Sequence, residues 1–417
     1  MGKILNPKTS LKARVFLALA FLLLSSCASY RSKVAGAIGA IKRGDYGSAI
    51  ATIEPLAQKQ NDDQLVYLLD YATALQLAGR YQESNQAFEL ANDLAEVQDY
   101  TSLSREAGSL LFSERLVQYK GEAYENVFIN AMAAINYLAL GNTESAVVEA
   151  RRMNEKLRLY RDQAKKDYQQ NHFAFYLSAM SWENDRNWDS AYIDYKRTYD
   201  LNPDIPYLEE DLLRAARRAR RTEDLAKYRR EFSSKDAELW RRKDMGELVL
   251  IYQQGWGPTK RPHPQSFRVP KLFPVPSRTR QARLVVSNGR SETSQEIYAV
   301  SEVAIRTYND EIGKLIAKRV AGVVAKEVVS DQIRQKNKAL GDIAGLIMHV
   351  SDQADLRHWS TLPESFQIAK VYLPVGEYEI EAIGLDGAGK ETSERSGKMK
   401  VQVLSRKKTF VTWRSVN

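Results

Sequence analysis

Apolar positions recur at helical spacing through the first half of the chain, most regularly between Phe175 and Pro203. In this stretch the small residues Ala179 and Ala191 alternate with large aromatic residues, and proline follows the last apolar position. Small residues let two helices approach closely, and proline cannot continue a helix. The pattern therefore predicts two short helices that pack against each other and need neighbouring units to bury their apolar faces.

This spacing resembles that of tetratricopeptide (TPR) repeats, in which each unit of about 34 residues is a helical hairpin. Matching stretches begin at Gly44, Leu65 and Ile129, and residues 208–232 resemble a degenerate capping unit. The resemblance implies an α-solenoid over residues 32–245, with an extra helix near residues 102–118. The residues expected to pack the hairpins are Ala49, Ala72, Gly79, Phe88, Ala134, Tyr137, Gly141, Ala146, Phe175, Ala179, Trp182, Ala191, Tyr195 and Pro203.

The apolar period shortens to two residues in the second half of the chain, which is typical of β-strands. In one predicted strand, acidic residues alternate with apolar or aromatic ones: Glu377, Tyr378, Glu379, Ile380 and Glu381. We expect a smaller antiparallel, β-sandwich-like α+β domain over residues 281–417, which could include a strand at 247–252. A helical insertion at 294–358 is expected to pack on the open sheet face. A membrane-surface or partner-binding helix is the alternative.

A run of prolines separates the two halves of the chain. Half of all the prolines fall between Pro258 and Pro276. Because proline is excluded from helix interiors and from central strands, the run predicts an extended, semi-rigid connector over residues 253–280. A ligand for a polyproline-binding groove is the alternative.

A positively charged segment and ten apolar residues open the sequence: Lys3, Lys8, Lys12 and Arg14 precede the run from Val15 to Leu24. A membrane-spanning helix needs about 20 apolar residues, so this run is too short to cross a bilayer. The arrangement predicts a secretory signal peptide over residues 1–26.

The end of this run, Leu24-Ser-Ser-Cys27, resembles the lipobox of bacterial lipoproteins. The resemblance implies that the chain is cut before Cys27, that Cys27 is acylated, and that residues 27–31 tether the protein to a membrane. In such lipoproteins, an aspartate after the cysteine would retain the protein at the inner membrane. Because residue 28 is alanine, the resemblance implies that the protein is sorted to the outer membrane and faces the periplasm. The alternative is that Cys27 merely lies near an ordinary cleavage site.

Composition is ordinary for a folded protein, with 44% hydrophobic and 27% charged residues. The formal net charge is +9, and loss of the four basic residues of the signal segment leaves +5. This mild balance gives no reason to expect a nucleic-acid partner. The single cysteine excludes an intrachain disulfide and a cysteine metal cluster, and the four histidines lack ligand spacing. We expect no metal and no cofactor.

The last predicted helices carry a dense set of basic residues. Arg217, Arg218 and Arg221 share one helical face with Arg214. One interpretation is a contact surface for an acidic protein, for peptidoglycan carboxylates or for lipid phosphate. The other is a solvated terminal face that keeps the array soluble.

A polar cluster ends the predicted insertion and is the best local candidate for a specific contact: Asp355, Arg357, His358 and Trp359. The alternative is structural, with Trp359 in the core and Asp355 paired to Arg357. Catalysis would require the fold to bring a nucleophile to His358, so we predict no catalytic residue and no enzyme.

One loop comes close to a nucleotide-binding motif. Gly384 to Lys390 has the glycine and lysine spacing of a phosphate-binding loop. Glu391 stands where a serine or threonine would bind magnesium, and its carboxylate would repel phosphate. We therefore expect a hairpin turn here and no nucleotide.

The order of lipobox, TPR-like units, proline run and β domain resembles a family of uncharacterised TPR-containing lipoproteins of the Gram-negative outer membrane. The resemblance implies where the protein lies in the cell and how its domains are ordered. We hypothesise a non-enzymatic, lipid-anchored periplasmic scaffold whose TPR groove binds a peptide segment or helix of another envelope protein, in assembly or regulation of an envelope process. The alternatives are a module that binds peptidoglycan or another glycan and, third, a hydrolase.

Overall fold

The computed structural model describes residues 30–102, 118–164, 171–233, 242–264, 266–309 and 354–417. Cys27 lies outside these ranges, as do most of the predicted extra helix at 102–118 and most of the predicted insertion. Within the described ranges, no helix is both long enough and apolar enough to cross a membrane.

The N-terminal half is an array of helical hairpins in which consecutive helices pack on one another. Its helices, paired in order along the chain, are α1 Tyr30–Lys42, α2 Tyr46–Ala57, α3 Gln64–Leu77, α4 Tyr81–Ser102, α5 Ala123–Ala139, α6 Thr143–Ala164, α7 His172–Asn184, α8 Trp188–Leu201, α9 Leu208–Arg218 and α10 Thr222–Glu231. Asparagine caps mark several helix starts; Asn187, for example, accepts a hydrogen bond from the Ser190 amide. Repeated local signals of this kind explain why the helical pattern was readable from sequence.

The residues expected to pack the hairpins occupy three kinds of position. Those with fully or largely buried side chains are Ala49, Ala72, Phe88, Ala134, Ala146, Phe175, Ala179, Trp182, Ala191 and Tyr195. Gly79 and Gly141 lie in hairpin turns with φ angles of 73° and 70°, in the left-handed region that glycine adopts at least cost. Tyr137 is half-buried, and Pro203 is exposed just beyond the end of α8.

The C-terminal half contains two larger sheets and a separate hairpin. Its strands are β1 Met245–Gln254, β2 Thr259–His263, β3 Ser266–Phe273, β4 Gln281–Val286, β5 Ser291–Thr293, β6 Gln295–Tyr298, β7 Ser365–Pro374, β8 Gly376–Leu385, β9 Glu391–Arg395, β10 Met399–Val403 and β11 Lys408–Arg414. Sheet one has the order β11-β1-β7-β6, and sheet two has the order β10-β8-β4-β5 with β9 on β8.

The sheets are not purely antiparallel, which corrects the sequence prediction. Strands β1 and β11 pair in parallel, with Val249 opposite Phe410, whereas β1 and β7 are antiparallel. A parallel pair needs a long connection, and here nearly the whole C-terminal half separates the two strands. Because β1 has partners on both sides, the strand predicted at 247–252 is an integral part of sheet one.

The proline run forms a β-hairpin instead of the predicted extended connector. Strands β2 and β3 pair antiparallel, with Pro262 opposite Pro270, and residues 253–254 already belong to β1. A two-stranded ladder leaves one edge of each strand unpaired, so a proline there sacrifices no sheet hydrogen bond. The predicted insertion also begins with a strand, because β6 occupies residues 295–298, and helical residues follow at 300–309.

Sheet one is the middle of three layers. One face packs on sheet two around an apolar core that includes Leu248, Leu284 and Ile380. The other face packs on the helices, and the ring of Phe366 in β7 stacks on those of Phe128 and Phe173, at centroid distances of 5.3 and 4.3 Å. The array and the helix-facing side of sheet one therefore share one hydrophobic core, instead of forming separate units joined by a connector, and a second core lies between the two sheets.

Candidate functional site

The inner face of the helical array is covered by the chain's own C-terminal half. The first helix of every hairpin touches it, through these pairs: Tyr30 with Ser360, Thr73 with Trp359, Phe128 with Phe366, Phe173 with Phe366, and Asp211 with Lys370. In TPR-type arrays the concave surface binds partners. The sequence predicted that this groove holds a segment of another protein, and the structure corrects that prediction because residues of the same chain fill it.

Residues 354–364, which we call the strap, run between the array and sheet one. The Trp359 amide donates to Glu125 at 2.8 Å, and the indole Nε1 of Trp359 donates to Thr73 Oγ1 at 3.0 Å. The amide of Thr361 donates to Asp70 Oδ1 at 3.0 Å. The strap is thus bound to α3 and α5 by buried hydrogen bonds as well as by packing.

Of the four candidate contact residues of the strap, Arg357, His358 and Trp359 lie inside the molecule, and Asp355 is half-buried. Arg357, His358 and Trp359 are at most 5% exposed, and Arg357 forms ion pairs with Asp355 at 2.7 Å and with Asp63 at 3.0 Å. These side chains attach the strap to the array, so they do not form a surface for a separate partner. Burial lowers the pKa of His358 to about 4, and its Nδ1 lies 2.9 Å from the carbonyl oxygen of Leu356.

Asp70, below the strap, gives the interface a pH dependence. Burial raises the pKa of Asp70 to about 7, although hydrogen bonds from Tyr30 and Thr361 partly offset this rise. The unfolded chain has a pKa of about 3.9 at this residue, so the folded state binds the proton more tightly. The stability that Asp70 contributes is therefore fully present below about pH 4 and is lost as the pH rises towards 7.

We expect Asp70→Asn to remove this component of the pH dependence. In the wild type, Asp70 should lower the free energy of unfolding by on the order of 4 kcal/mol between about pH 4 and pH 7, and the variant should lack this decrease. Urea denaturation at each pH measures the free energy of unfolding. The substituted amide can still accept the hydrogen bonds of Thr361. Asp45→Asn, at an exposed helix cap, is the control and should keep the wild-type slope. An unchanged slope in Asp70→Asn would contradict a raised pKa.

A cluster of buried charges joins the other end of the array to sheet one. Its acids are Glu183, Asp211 and Glu247, and its cations are Arg214, Lys370 and Lys408. The Arg214 guanidinium binds Glu183 at 2.6 Å and also Asp211, while Lys370 binds Asp211 at 2.5 Å. Attraction to these cations holds the pKa of Asp211 well below its usual range in spite of burial. Three acids and three cations thus meet in a balanced set between α7, α9 and the strands.

A cavity of about 180 Å³ opens from this cluster to solvent. Arg186, Arg218, Arg406 and Lys407 line it together with Trp188. The three buried acids and three buried cations of the cluster balance, and these four cations outnumber the one further acid at its edge, Glu210, which lies 3.8 Å from Arg214. Burial lowers the pKa of Arg218, and the charges of Arg406, Arg217 and Arg214 lower it further, so cations are crowded here. We call this site the cationic pocket; its charge suits an anionic group on a ligand.

The predicted basic face is divided among three environments. Arg214 is buried in the ion cluster, which corrects its assignment to a face exposed with its neighbours. Arg218 lines the cationic pocket, with its guanidinium 5.6 Å from the centre of the Trp188 ring. Arg217 is exposed on α9, and Arg221 precedes α10 and pairs with Asp189 at 2.9 Å. Of the three predicted contact arginines, only Arg218 is among the residues that line the pocket.

Comparison with known proteins gives no family for this chain. No protein-family profile matches it, and no curated protein matches it. A solved structure of MamA protein is 10% identical over 49% of this chain and 94% of that chain, with a TM-score of 0.32. A tetratricopeptide repeat protein from Parabacteroides merdae is 14% identical over 48% of this chain and 64% of that chain, with a TM-score of 0.33. At these values the similarity says nothing about a partner or an activity.

Sequence reasoning missed three residues of the cationic pocket: Arg186, Arg406 and Lys407. One signal could have indicated the first. The turns of the first three hairpins hold Gly44, Gly79 and Gly141 at positive φ, whereas the fourth and fifth hold Arg186 at 64° and Arg220 at 57°; of these two arginines, Arg186 lines the pocket. A side chain in this conformation costs roughly 1–2 kcal/mol, so a non-glycine residue there calls for a functional explanation. Arg406, also at positive φ, comes from the β10–β11 turn, and nothing local in the sequence links it to α7.

The described residues contain no group of three or more His, Cys, Asp or Glu side chains arranged to hold a metal ion. The chemistry that the cationic pocket offers is charge recognition by guanidinium and ammonium groups, beside the rings of Trp188 and Tyr372.

Proposed function

We propose that this chain is a non-enzymatic, lipid-anchored periplasmic scaffold that binds an acidic segment of another envelope protein in its cationic pocket. The observation that carries the proposal is the covered inner face. Because the strap and β7 fill the groove, a partner has to bind elsewhere, and the cationic pocket is a charged recess that opens to solvent.

Charge complementarity supports an acidic occupant. Arg186, Arg218, Arg406 and Lys407 converge on one cavity from two parts of the chain that are far apart in sequence. Carboxylates suit this set because each guanidinium can donate two hydrogen bonds to one carboxylate. The signal peptide and lipobox support attachment at Cys27, which would raise the local concentration of the scaffold near membrane-associated partners.

Site-specific photo-crosslinking in living cells tests this proposal. With the crosslinker at Lys407 we expect a discrete protein adduct in the membrane fraction, and with the crosslinker at exposed Lys59, far along the array, we expect none. Arg218→Glu should weaken the adduct by about tenfold, because it places a negative charge in the pocket, while Arg218→Lys should retain most of it. Cys27→Ser should move the chain and its adduct out of the membrane fraction.

Two results would each contradict a different part of the proposal. Equal adducts at both positions, or an adduct that Arg218→Glu leaves unchanged, would exclude the pocket as the binding site. A Cys27→Ser chain that stays in the membrane fraction would exclude the lipid anchor.

A glycan remains the second candidate because Trp188 lines the same pocket and aromatic rings can stack on sugars. The predicted glycan contact at Trp359 is not accessible, since that ring is 2% exposed. Retention of the intact chain on purified peptidoglycan, abolished by Arg218→Glu and by Trp188→Ala, would favour this alternative over a protein partner.

A further inference from the structure

A second recess, which we call the amide groove, lies between α4 and α6, with α5 beneath it. It has a volume of about 130 Å³ and is lined by polar side chains, among them Asn85, Asn92, Asn130, Tyr137, Glu149 and Arg152. The acids Glu89 and Glu149 face the single arginine of the groove, and Arg152 pairs with Glu149 at 2.9 Å. The amide groove therefore lacks the positive excess of the cationic pocket.

Two polar atoms in the amide groove have no partner among the residues that the structure describes, Asn85 Nδ2 and Asn130 Oδ1. Asn130 is 1% exposed, and its Nδ2 donates to Glu149 Oε2 at 2.7 Å. Its Oδ1 accepts no hydrogen bond within the described ranges. A buried carbonyl oxygen without a donor costs about 1–3 kcal/mol. In this orientation the amide nitrogen, and not Oδ1, meets the Glu149 carboxyl group, so the oxygen is left to accept from water or from another occupant of the groove.

Two features of the groove distinguish between kinds of occupant. Amide side chains offer donors and acceptors together, and a peptide main chain presents an N–H and a C=O at almost every residue. An apolar side chain stands at the rim, where Val148 is 42% exposed. A charged small molecule would find neither a charge excess nor a use for the apolar rim.

We propose that the amide groove binds an extended peptide segment of a protein partner, with a main-chain N–H donating to Asn130 Oδ1 and an apolar side chain covering Val148. This site is independent of the cationic pocket, which is formed by α7, α9 and strands of the sheets. Two independent segments could therefore bind to one scaffold at once, which goes beyond the function proposed above.

Selection of peptides on the intact chain tests the amide groove. A phage library of random short peptides is selected on the wild-type protein, and the affinity of each selected peptide is then measured by calorimetry on two variants. Ser145→Trp places an indole in the groove, and Ser190→Trp is its matched control. Both serines are half-buried and donate an amide hydrogen bond to a helix-capping asparagine, but of the two only Ser145 lines the groove.

We expect the selection to yield peptides whose affinity for Ser145→Trp is at least about tenfold lower than their affinity for Ser190→Trp. The affinity of these peptides for Arg218→Glu should equal their affinity for the wild type. Val148→Arg, at an exposed position in the groove, provides a second block if Ser145→Trp fails to fold. If no selected peptide is weakened by either block, then the groove holds water alone and the proposal is wrong. Peptides that lose their affinity only in Arg218→Glu would bind in the cationic pocket, and the proposal for the amide groove would then be wrong.

Discussion

Replacement of Trp359 by alanine is expected to lower the free energy of unfolding by about 3–5 kcal/mol, among the largest effects of any single change in this chain. The indole is 2% exposed and lies 5.7 Å from the ring of Phe88, between centroids. The substitution would leave a cavity between the strap and the array, and Thr73 and Thr361 would lose the donor they share. Urea denaturation of the intact chain measures the change.

A second substitution separates packing from hydrogen bonding at the same residue. Trp359→Phe keeps an aromatic ring against Phe88 but removes the indole N–H, so we expect a loss of about 1–2 kcal/mol. Trp188→Ala, at the half-exposed wall of the cationic pocket, is the control and should cost less than Trp359→Phe. A loss below about 1 kcal/mol in Trp359→Ala would show that the strap does not hold the two halves together.

Replacement of Asp211 by asparagine is expected to cost about 3–5 kcal/mol, because it leaves buried cations without one of their acids. Asp211 accepts from Lys370, Arg214 and the hydroxyl of Tyr176. Because an amide fills the same space as the carboxylate, the loss of stability comes from the change in charge more than from a change in volume. The same denaturation experiment measures it.

The double variant Asp211→Asn with Lys370→Met makes the test specific. Removing one acid and one cation restores the balance of the cluster, so the double variant should be more stable than the sum of the two single losses predicts. Asp189→Asn removes one acid of an exposed pair with Arg221 and should leave stability within experimental error. Strict additivity of Asp211→Asn and Lys370→Met would mean that the two side chains do not interact.

The helical half was predictable because its signals are local. Apolar spacing, capping asparagines and turn glycines such as Gly79 each act within a few residues, and the hairpins follow from them. Strands such as β8 were readable for the same reason, from their two-residue period, whereas β2, β3 and β6 lie where the sequence predicted a connector or a helical insertion. The pairing of the strands was harder to predict, because nothing in the sequence near β1 indicates that it lies between β7 and a parallel β11.

The candidate sites depend on contacts that sequence spacing does not reveal. Lys370 occupies a strand, and no local pattern indicates that α9 supplies its acid, Asp211. Arg214 shares a helical face with Arg218, but the sheet that buries Arg214 comes from a later part of the chain. Trp359 suited both an exposed contact and a core position, and nothing in the sequence indicated that Thr73 and Glu125 are its neighbours.

The position of β7 also bears on how the protein folds. The helices can form soon after synthesis because their contacts are local, yet the rings of Phe128 and Phe173 stay uncovered until Phe366 has been made. A chain stalled before that point would display a broad apolar face, and such faces attract chaperones and proteases or lead to aggregation. Truncation after the last helix should therefore yield an insoluble product instead of a free-standing adaptor.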